Sequence, residues 1–138
     1  MEYSIGELAG RFGLATHVLR HWEDMGVLSP AGRVAGRRVY GPRHVTRVAE
    51  ILLCKDAGFS LEQLRELFAA PDAPARRRVL RAQLAEVRER MARLALSQKM
   101  LEHGLRCRHD DHEACPRFAA MLEARIAGVP LERAMDHP

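Results

Sequence analysis

The sequence predicts a mainly α-helical fold with a winged helix-turn-helix head, a long helix and a short C-terminal loop and helix. Three observations support this fold class. Two short amphipathic segments flank a glycine turn, a basic glycine-rich segment follows them, and a heptad pattern runs through the second half. The predicted boundaries are residues 1–70 for the head, 75–103 for the long helix and 104–138 for the C-terminal segment.

The first two predicted helices form the helix-turn-helix. Ser4 and Glu7 have the spacing of a capping box, which starts the first helix. The second helix is predicted over about residues 15–25, and Gly26 ends it. In a helix-turn-helix, the N-terminal half of the second helix contacts bases in the major groove. The outward-facing residues of that half are Thr16, His17, Arg20 and His21.

A basic segment after the second helix predicts the wing, as two short extended pieces at residues 28–30 and 33–40. No acidic residue occurs from Met25 to Ala49, and the net charge of the chain is +4. Such a basic stripe is typical of a nucleic-acid surface and favours a DNA-binding head over an ordinary αα-hairpin. Composition alone equally allows a solvated arginine-rich surface. The arginines of this stripe are Arg33, Arg37, Arg38, Arg43 and Arg47.

Two further helices complete the predicted head, at about residues 42–57 and 61–68. Pro42 opens the third helix, and Ser60 caps the fourth through capping-box spacing with Gln63. A linker is predicted over residues 71–74. The predicted inner face of the third helix consists of Val45, Val48, Ala49 and Leu52.

The heptad pattern predicts a dimerisation helix over residues 75–103. At 1.5 Å per residue this helix would be about 43 Å long, more than a small domain covers with its own core. Pairing with a second copy is therefore favoured over packing within the chain, and the polar Gln98 within the seam could fix the register. The apolar seam residues are Leu80, Leu84, Val87, Met91, Leu94, Leu101 and Leu105.

Composition excludes several other classes of protein. The chain lacks a run of about 18 apolar residues and a signal-peptide pattern, so we expect a soluble cytoplasmic protein without a membrane partner. The sequence shows no acid–base pair, nucleophile constellation or phosphate loop, so no enzyme is predicted. Three cysteines, an odd number, argue against a disulfide framework. Cys54 is predicted to be a small buried hydrophobic residue.

Four separated motifs resemble the MerR family of bacterial transcription regulators. They are YSIGELA, LRHWEDMGVLSP, GRRVY and KDAGFSLEQL, in this order. The resemblance implies a homodimer joined by an antiparallel coiled coil and bound to double-stranded, near-palindromic promoter DNA whose polymerase-binding elements lie too far apart. An effector would make the dimer bend and untwist that DNA so that RNA polymerase engages it.

The resemblance also implies roles for residues of the head. Thr16, His17, Arg20 and His21 match positions where the recognition helix meets the groove and its phosphates. Ala15 stands at the helix cap, where the family often has Ser or Thr. The wing positions that match contacts with phosphates and the minor groove are Arg33, Arg37, Arg38 and Tyr40.

The C-terminal loop Cys107-x7-Cys115-Pro116 resembles the metal-binding loop of the copper-sensing branch of this family. Two thiolates in a tight loop suit Cu(I) or Ag(I). His109 and His112 add nitrogen donors, and a Cys2His2 set would instead suit Zn(II). Divalent sensors of the family add a cysteine at the start of the long helix, but residues 71–78 contain no Cys, Ser or His.

Other interpretations of the cysteine pair stay open. Arg106 and Arg108 flank Cys107 and favour its thiolate, which would suit redox or thiol-reactive sensing as well as metal binding. Cys107 and Cys115 could also be a structural or disulfide-linked pair that holds the tail hairpin. A non-sensing architectural DNA-binding protein with the same head is the alternative function.

Overall fold

The computed structural model describes residues 1–135, and positions 136–138 of the predicted C-terminal segment lie outside the described residues. The fold is mainly helical with one two-stranded sheet, which confirms the predicted fold class. The described part of the chain divides into two compact units, Met1–Leu84 and a second that begins at Ala85. Within residues 1–135, no helix is long and apolar enough to cross a membrane. The elements are α1 (Ile5–Arg11), α2 (Thr16–Asp24), β1 (Gly32–Val34), β2 (Arg37–Val39), α3 (Pro42–Asp56), α4 (Leu61–Ala69), α5 (Ala73–Arg106), a 3-10 turn (His112–Ala114), α6 (Pro116–Ile126) and α7 (Leu131–Ala134).

Local capping chemistry starts the helices of the first unit. The Ser4 hydroxyl accepts a hydrogen bond from the Glu7 amide at 3.1 Å, and the Glu7 carboxylate accepts one from the Ser4 amide at 3.4 Å. Ser60 and Gln63 form the same reciprocal pair at the start of α4. Ala15 caps α2 without a side-chain hydrogen bond. The Ser4 and Ser60 caps therefore satisfy amides that would otherwise lack partners.

The core of the first unit lies between the helices of the head and the base of the wing. Its fully buried side chains include Leu8, Leu19, Leu28, Tyr40, Val48, Ile51 and Leu64. The predicted inner face of the third helix is wrong at Ala49, which is exposed, whereas Ile51 is fully buried. Ile51 lies three residues after Val48, and that spacing keeps both side chains on one face of α3.

The wing is a tight antiparallel hairpin. β1 and β2 pair Gly32 with Val39 and Val34 with Arg37. Ala35 and Gly36 at the turn have φ angles of 51° and 78°, the left-handed values that a two-residue type I′ turn requires. The prediction of an extended piece at 28–30 is wrong, because the second predicted piece folds back on itself to form both strands.

The N-terminus closes the base of the wing. Tyr3 and Tyr40 exchange two backbone hydrogen bonds, each 2.8 Å long. The hairpin is thereby anchored to the segment that leads into α1. A two-stranded hairpin is marginally stable alone, so this bridge and the burial of Tyr40 stabilise the wing.

The long helix is longer than predicted at both ends, running from Ala73 to Arg106. The linker prediction for 71–74 is wrong because the Asp72 carboxylate accepts a hydrogen bond from the Ala75 amide at 2.8 Å and caps the helix. Pro74 fits in the first turn, where its missing N–H has no helical partner to lose. α7 is a further helix that the pattern of Gly and Pro after residue 127 did not predict.

Six predicted seam residues lie on the surface of α5, and Leu105 is the most exposed of them at 88%. Leu80 and Leu84 are 44% and 46% exposed, and Met91, Leu94 and Leu101 are 63% to 68% exposed. Large apolar side chains exposed at heptad spacing mark an interaction surface.

Candidate DNA surface and candidate metal centre

The second helix of the head presents a polar N-terminal face. Leu19 and Trp22 are 0% and 3% exposed and anchor α2 on the core. His17, Arg20 and His21 are consequently exposed, while Thr16 is half-buried. The helix therefore directs one guanidinium and two imidazoles outward, as the sequence pattern predicted. These side chains have the donors needed for base edges and phosphates.

The wing carries three exposed arginines. Arg33 donates a hydrogen bond to the Gly36 carbonyl at 3.3 Å, which braces the hairpin turn. Arg38 forms an ion pair with Glu23 at 3.6 Å. Glu23 belongs to α2, so this pair links the wing to the helix that carries Arg20. Arg37 is exposed as well.

The prediction that Tyr40 contacts DNA is wrong. Its side chain is 0% exposed and lies in the core of the first unit. The hydroxyl donates a hydrogen bond to the Glu23 carboxylate, which also pairs with Arg38. Burial, and then the neighbouring Glu23, raise the pKa of Tyr40 to about 12, so the hydroxyl stays a neutral donor. Tyr40 thus supports the wing from inside.

Replacing Tyr40 with phenylalanine is expected to lower the free energy of unfolding by about 1–2 kcal/mol, because Glu23 loses a buried partner. Urea denaturation followed by Trp22 fluorescence measures the change. Tyr3→Phe is the matched control, since the Tyr3 hydroxyl bonds with two exposed residues, Arg11 and Met1. Equal losses in the two variants would contradict the role assigned to the Tyr40 hydroxyl.

Three metal-ligand side chains meet in the second unit. His103 lies in the last turn of α5, Cys107 directly follows that helix, and Cys115 is the N-cap residue of α6. One ligand atom from each lies within 4.8 Å of the others. The Cys115 sulfur is 3.6 Å from His103 Nε2. Cys115 is buried, whereas His103 and Cys107 are half-buried.

Two local structures hold these donors in place. The Cys107 amide donates to the His103 carbonyl at 2.9 Å, so the two residues are one helical turn apart on the same face. The chain then reverses through the 3-10 turn, which Asp111 caps by accepting from the Glu113 amide at 3.0 Å. Pro116 starts α6 and brings Cys115 back toward α5.

The N-terminus of α6 stabilises a thiolate at Cys115. The backbone N–H of Phe118, followed by the His103 side chain, lowers the pKa of Cys115 to about 6. At neutral pH the sulfur is therefore mostly the thiolate, which is the form that binds metals and reacts with oxidants. Burial raises the pKa of Cys54 instead, as expected for an inert thiol.

The predicted histidine donors have different surroundings. His109 Nδ1 is 3.2 Å from the Cys107 sulfur. His112 packs edge-on against Phe118 at 5.4 Å and does not belong to the three-donor cluster. Sequence reasoning missed His103, although its spacing of four from Cys107 on a helix was a usable signal. All three cysteines, including Cys54, are free thiols.

Two family models match this chain. The family model described as MerR HTH family regulatory protein matches residues 3–70, and the model described as MerR, DNA binding matches residues 45–104. The chain belongs to the MerR family of helix-turn-helix regulatory proteins. The predictions of a DNA-binding transcription regulator and of a non-enzyme are thereby confirmed.

Among relatives, a probable heavy metal-dependent transcriptional regulator of Haemophilus influenzae is 34% identical over 119 residues, covering 81% of this chain and 93% of the relative. The regulator HmrR of Sinorhizobium medicae is 31% identical over 127 residues, covering 87% and 86% of the two chains. The activator TipA of Streptomyces coelicolor is 32% identical over 109 residues, 78% of this chain. That match covers only 43% of the TipA sequence, so this chain spans less than half of that relative.

A solved structure shares the fold over nearly the whole chain. HiNmlR, a MerR family regulator lacking the sensor domain and bound to promoter DNA, has a TM-score of 0.58 and 21% identity. The match covers 96% of this chain and 99% of HiNmlR. At this identity the comparison supports the shared fold.

Proposed function

We propose that this chain is a homodimeric, metal-responsive regulator that distorts double-stranded promoter DNA. The single observation that carries the proposal is the cluster of Cys107, Cys115 and His103, whose donor atoms lie within 4.8 Å of one another. Relatives named heavy metal-dependent regulators support a metal as the effector. Such a regulator would act in the cytoplasm, where promoter DNA and RNA polymerase are found.

The donor set favours a soft monovalent ion. Two cysteine sulfurs would hold Cu(I) or Ag(I), and thiolate ligands select soft ions. The Cys2His2 set expected for Zn(II) is not assembled as predicted, because His112 packs on Phe118. The bound ion would supply a bond between the end of α5 and the start of α6. Cys107 and Cys115, as its ligands, would then hold the end of α5 and the start of α6 in one arrangement.

The exposed seam of α5 supports the homodimer. Burying one leucine or methionine side chain contributes about 1.5–3 kcal/mol, so the seam of each copy offers substantial association energy. In the antiparallel arm that the family resemblance implies, the two heads would contact separate half-sites. The effector would shift the dimer toward the arrangement that bends and untwists the promoter for RNA polymerase.

A metal-binding experiment tests the proposal. Cys107→Ser or Cys115→Ser should each weaken Cu(I) binding at least ~100-fold and abolish metal-dependent transcription, because one thiolate cannot hold the ion alone. Competition with a Cu(I) chelator and in vitro transcription measure the two effects. Cys54→Ser is the matched control and should leave both unchanged.

A redox or thiol-reactive sensor is the second candidate. The lowered pKa of Cys115 favours it, since the thiolate is the reactive form. In the same assay, a response to oxidant without metal would support this alternative against the metal proposal. DNA binding that responds to neither agent would indicate a non-sensing architectural protein.

A further inference from the structure

We propose that His103 is a third metal donor and that the site is a Cys2His centre built within one chain. The inference rests on the proposed function, in which Cys107 and Cys115 bind a metal ion. It goes beyond that function by naming the residue that decides which ions the site accepts.

The spacing of His103 and Cys115 fits shared coordination of one ion. Typical bond lengths are about 2.3 Å to sulfur and 2.0–2.1 Å to imidazole nitrogen, so tetrahedral or trigonal geometry separates the two atoms by roughly 3.6–3.8 Å. The observed distance between Cys115 Sγ and His103 Nε2 is 3.6 Å. These two donors already have the separation that a common ion needs.

The third donor also lies within reach. All three ligand atoms are within 4.8 Å of one another. In the same tetrahedral or trigonal geometry, two sulfurs at a bond length of about 2.3 Å would be roughly 3.8–4.0 Å apart. Shifts of at most about 1 Å therefore suffice to close the site.

Regular structure positions all three of these donors. His103 and Cys107 are held one turn apart by the hydrogen bond that ends α5, and Cys115 is positioned by the first turn of α6, where its carbonyl accepts from the Ala119 amide at 2.9 Å. A site on helix ends requires less ordering on binding than one on a free loop.

The sequence explains why an internal third donor matters. Residues 71–78, at the start of α5, contain no Cys, Ser or His. That segment of a partner chain therefore offers no thiolate or imidazole to the site. His103 supplies the additional donor from the same chain.

The third donor should affect two kinds of ion differently. Cu(I) is satisfied by two thiolates, whereas Zn(II) in proteins takes three or four protein ligands in tetrahedral geometry. His103 would therefore add little to Cu(I) affinity and much to Zn(II) affinity. It would also make bound Cu(I) three-coordinate.

The test measures both ions on the full chain with His103→Leu and His103→Gln. We expect Zn(II) affinity to fall at least ~100-fold and Cu(I) affinity to change less than ~10-fold, because only Zn(II) needs the imidazole. X-ray absorption of the Cu(I)-loaded protein should show the loss of one nitrogen neighbour. His112→Leu is the matched control, since His112 shares the loop but contacts Phe118.

Unchanged Zn(II) affinity and unchanged Cu(I) coordination in both His103 variants would overturn the inference. If the His103 variants had no effect but Cys107→Ser abolished Cu(I) binding, the proposed function would stand and the role of His103 would not. If the unsubstituted protein bound neither Cu(I) nor Zn(II), both the inference about His103 and the proposed function would be contradicted. The glutamine variant covers the case in which leucine disturbs the fold.

Discussion

Replacing Arg20 with alanine is expected to weaken operator binding roughly 10- to 100-fold, the loss of one good base contact of about 1–3 kcal/mol. Arg20 is exposed on α2, while its neighbours Leu19 and Trp22 fix the helix on the core. The substitution removes the guanidinium without touching the packing. The head should therefore stay folded and the dimer intact.

Fluorescence anisotropy with operator DNA over a range of salt concentrations measures this effect. A base contact by Arg20 would show as reduced discrimination between operator and unrelated DNA. If Arg20 contacted only phosphate, its loss would reduce by about one the steepness with which the logarithm of the binding constant falls with the logarithm of salt concentration. Binding to all DNA sequences would then weaken alike. Arg125→Ala, an exposed arginine on α6, removes the same charge and should change the affinity little. Unchanged operator affinity of the Arg20 variant would contradict its assignment to the recognition surface.

The head was predictable because its signals are local. Ser4 and Ser60 are each followed three residues later by a side chain that completes a capping box, and both boxes form. Gly13 and Gly26 have φ angles of 66° and 74°, the left-handed values suited to a chain that leaves a helix. Such signals depend on a few neighbouring residues, so the sequence alone reveals them.

The wing was harder to predict because its stability is tertiary. Its strands contain mostly exposed residues, and alternation of apolar and polar residues gives little guidance over three positions. Tyr40 was assigned to DNA because the family resemblance places it among the wing positions that contact phosphates. Its burial depends on Tyr3 and Glu23, which lie far from it in sequence.

Only part of the candidate metal centre was predictable, because the contact between its donors is tertiary. The spacing of Cys107 and Cys115 is visible in the sequence, whereas the approach of Cys115 to His103 requires the chain to reverse after α5. That reversal depends on the Asp111 cap and on Pro116 starting α6. His103 lies on the preceding helix, outside the loop that the two cysteines bound, so the cysteine spacing alone does not reveal it.

Leu94→Glu is expected to convert the proposed dimer into a monomer at micromolar concentration. Leu94 is 68% exposed in the single chain and occupies the middle of the heptad seam. In a symmetric arm one substitution removes two leucines and buries two carboxylates. Losing the leucines alone costs about 3–6 kcal/mol, which corresponds to roughly 100- to 10,000-fold weaker association. The buried charges add to that cost.

Sedimentation velocity over a range of protein concentrations measures the change in association. Ala92→Glu is the matched control, because it adds the same charge to an exposed position of α5 outside the seam. Fluorescence of Trp22, which is 3% exposed, reports whether the head stays folded in both variants. A dimeric Leu94→Glu protein would show that the heptad seam is not the interface. A monomer with an intact head would instead bind the full operator much more weakly, because two linked half-site contacts would become one.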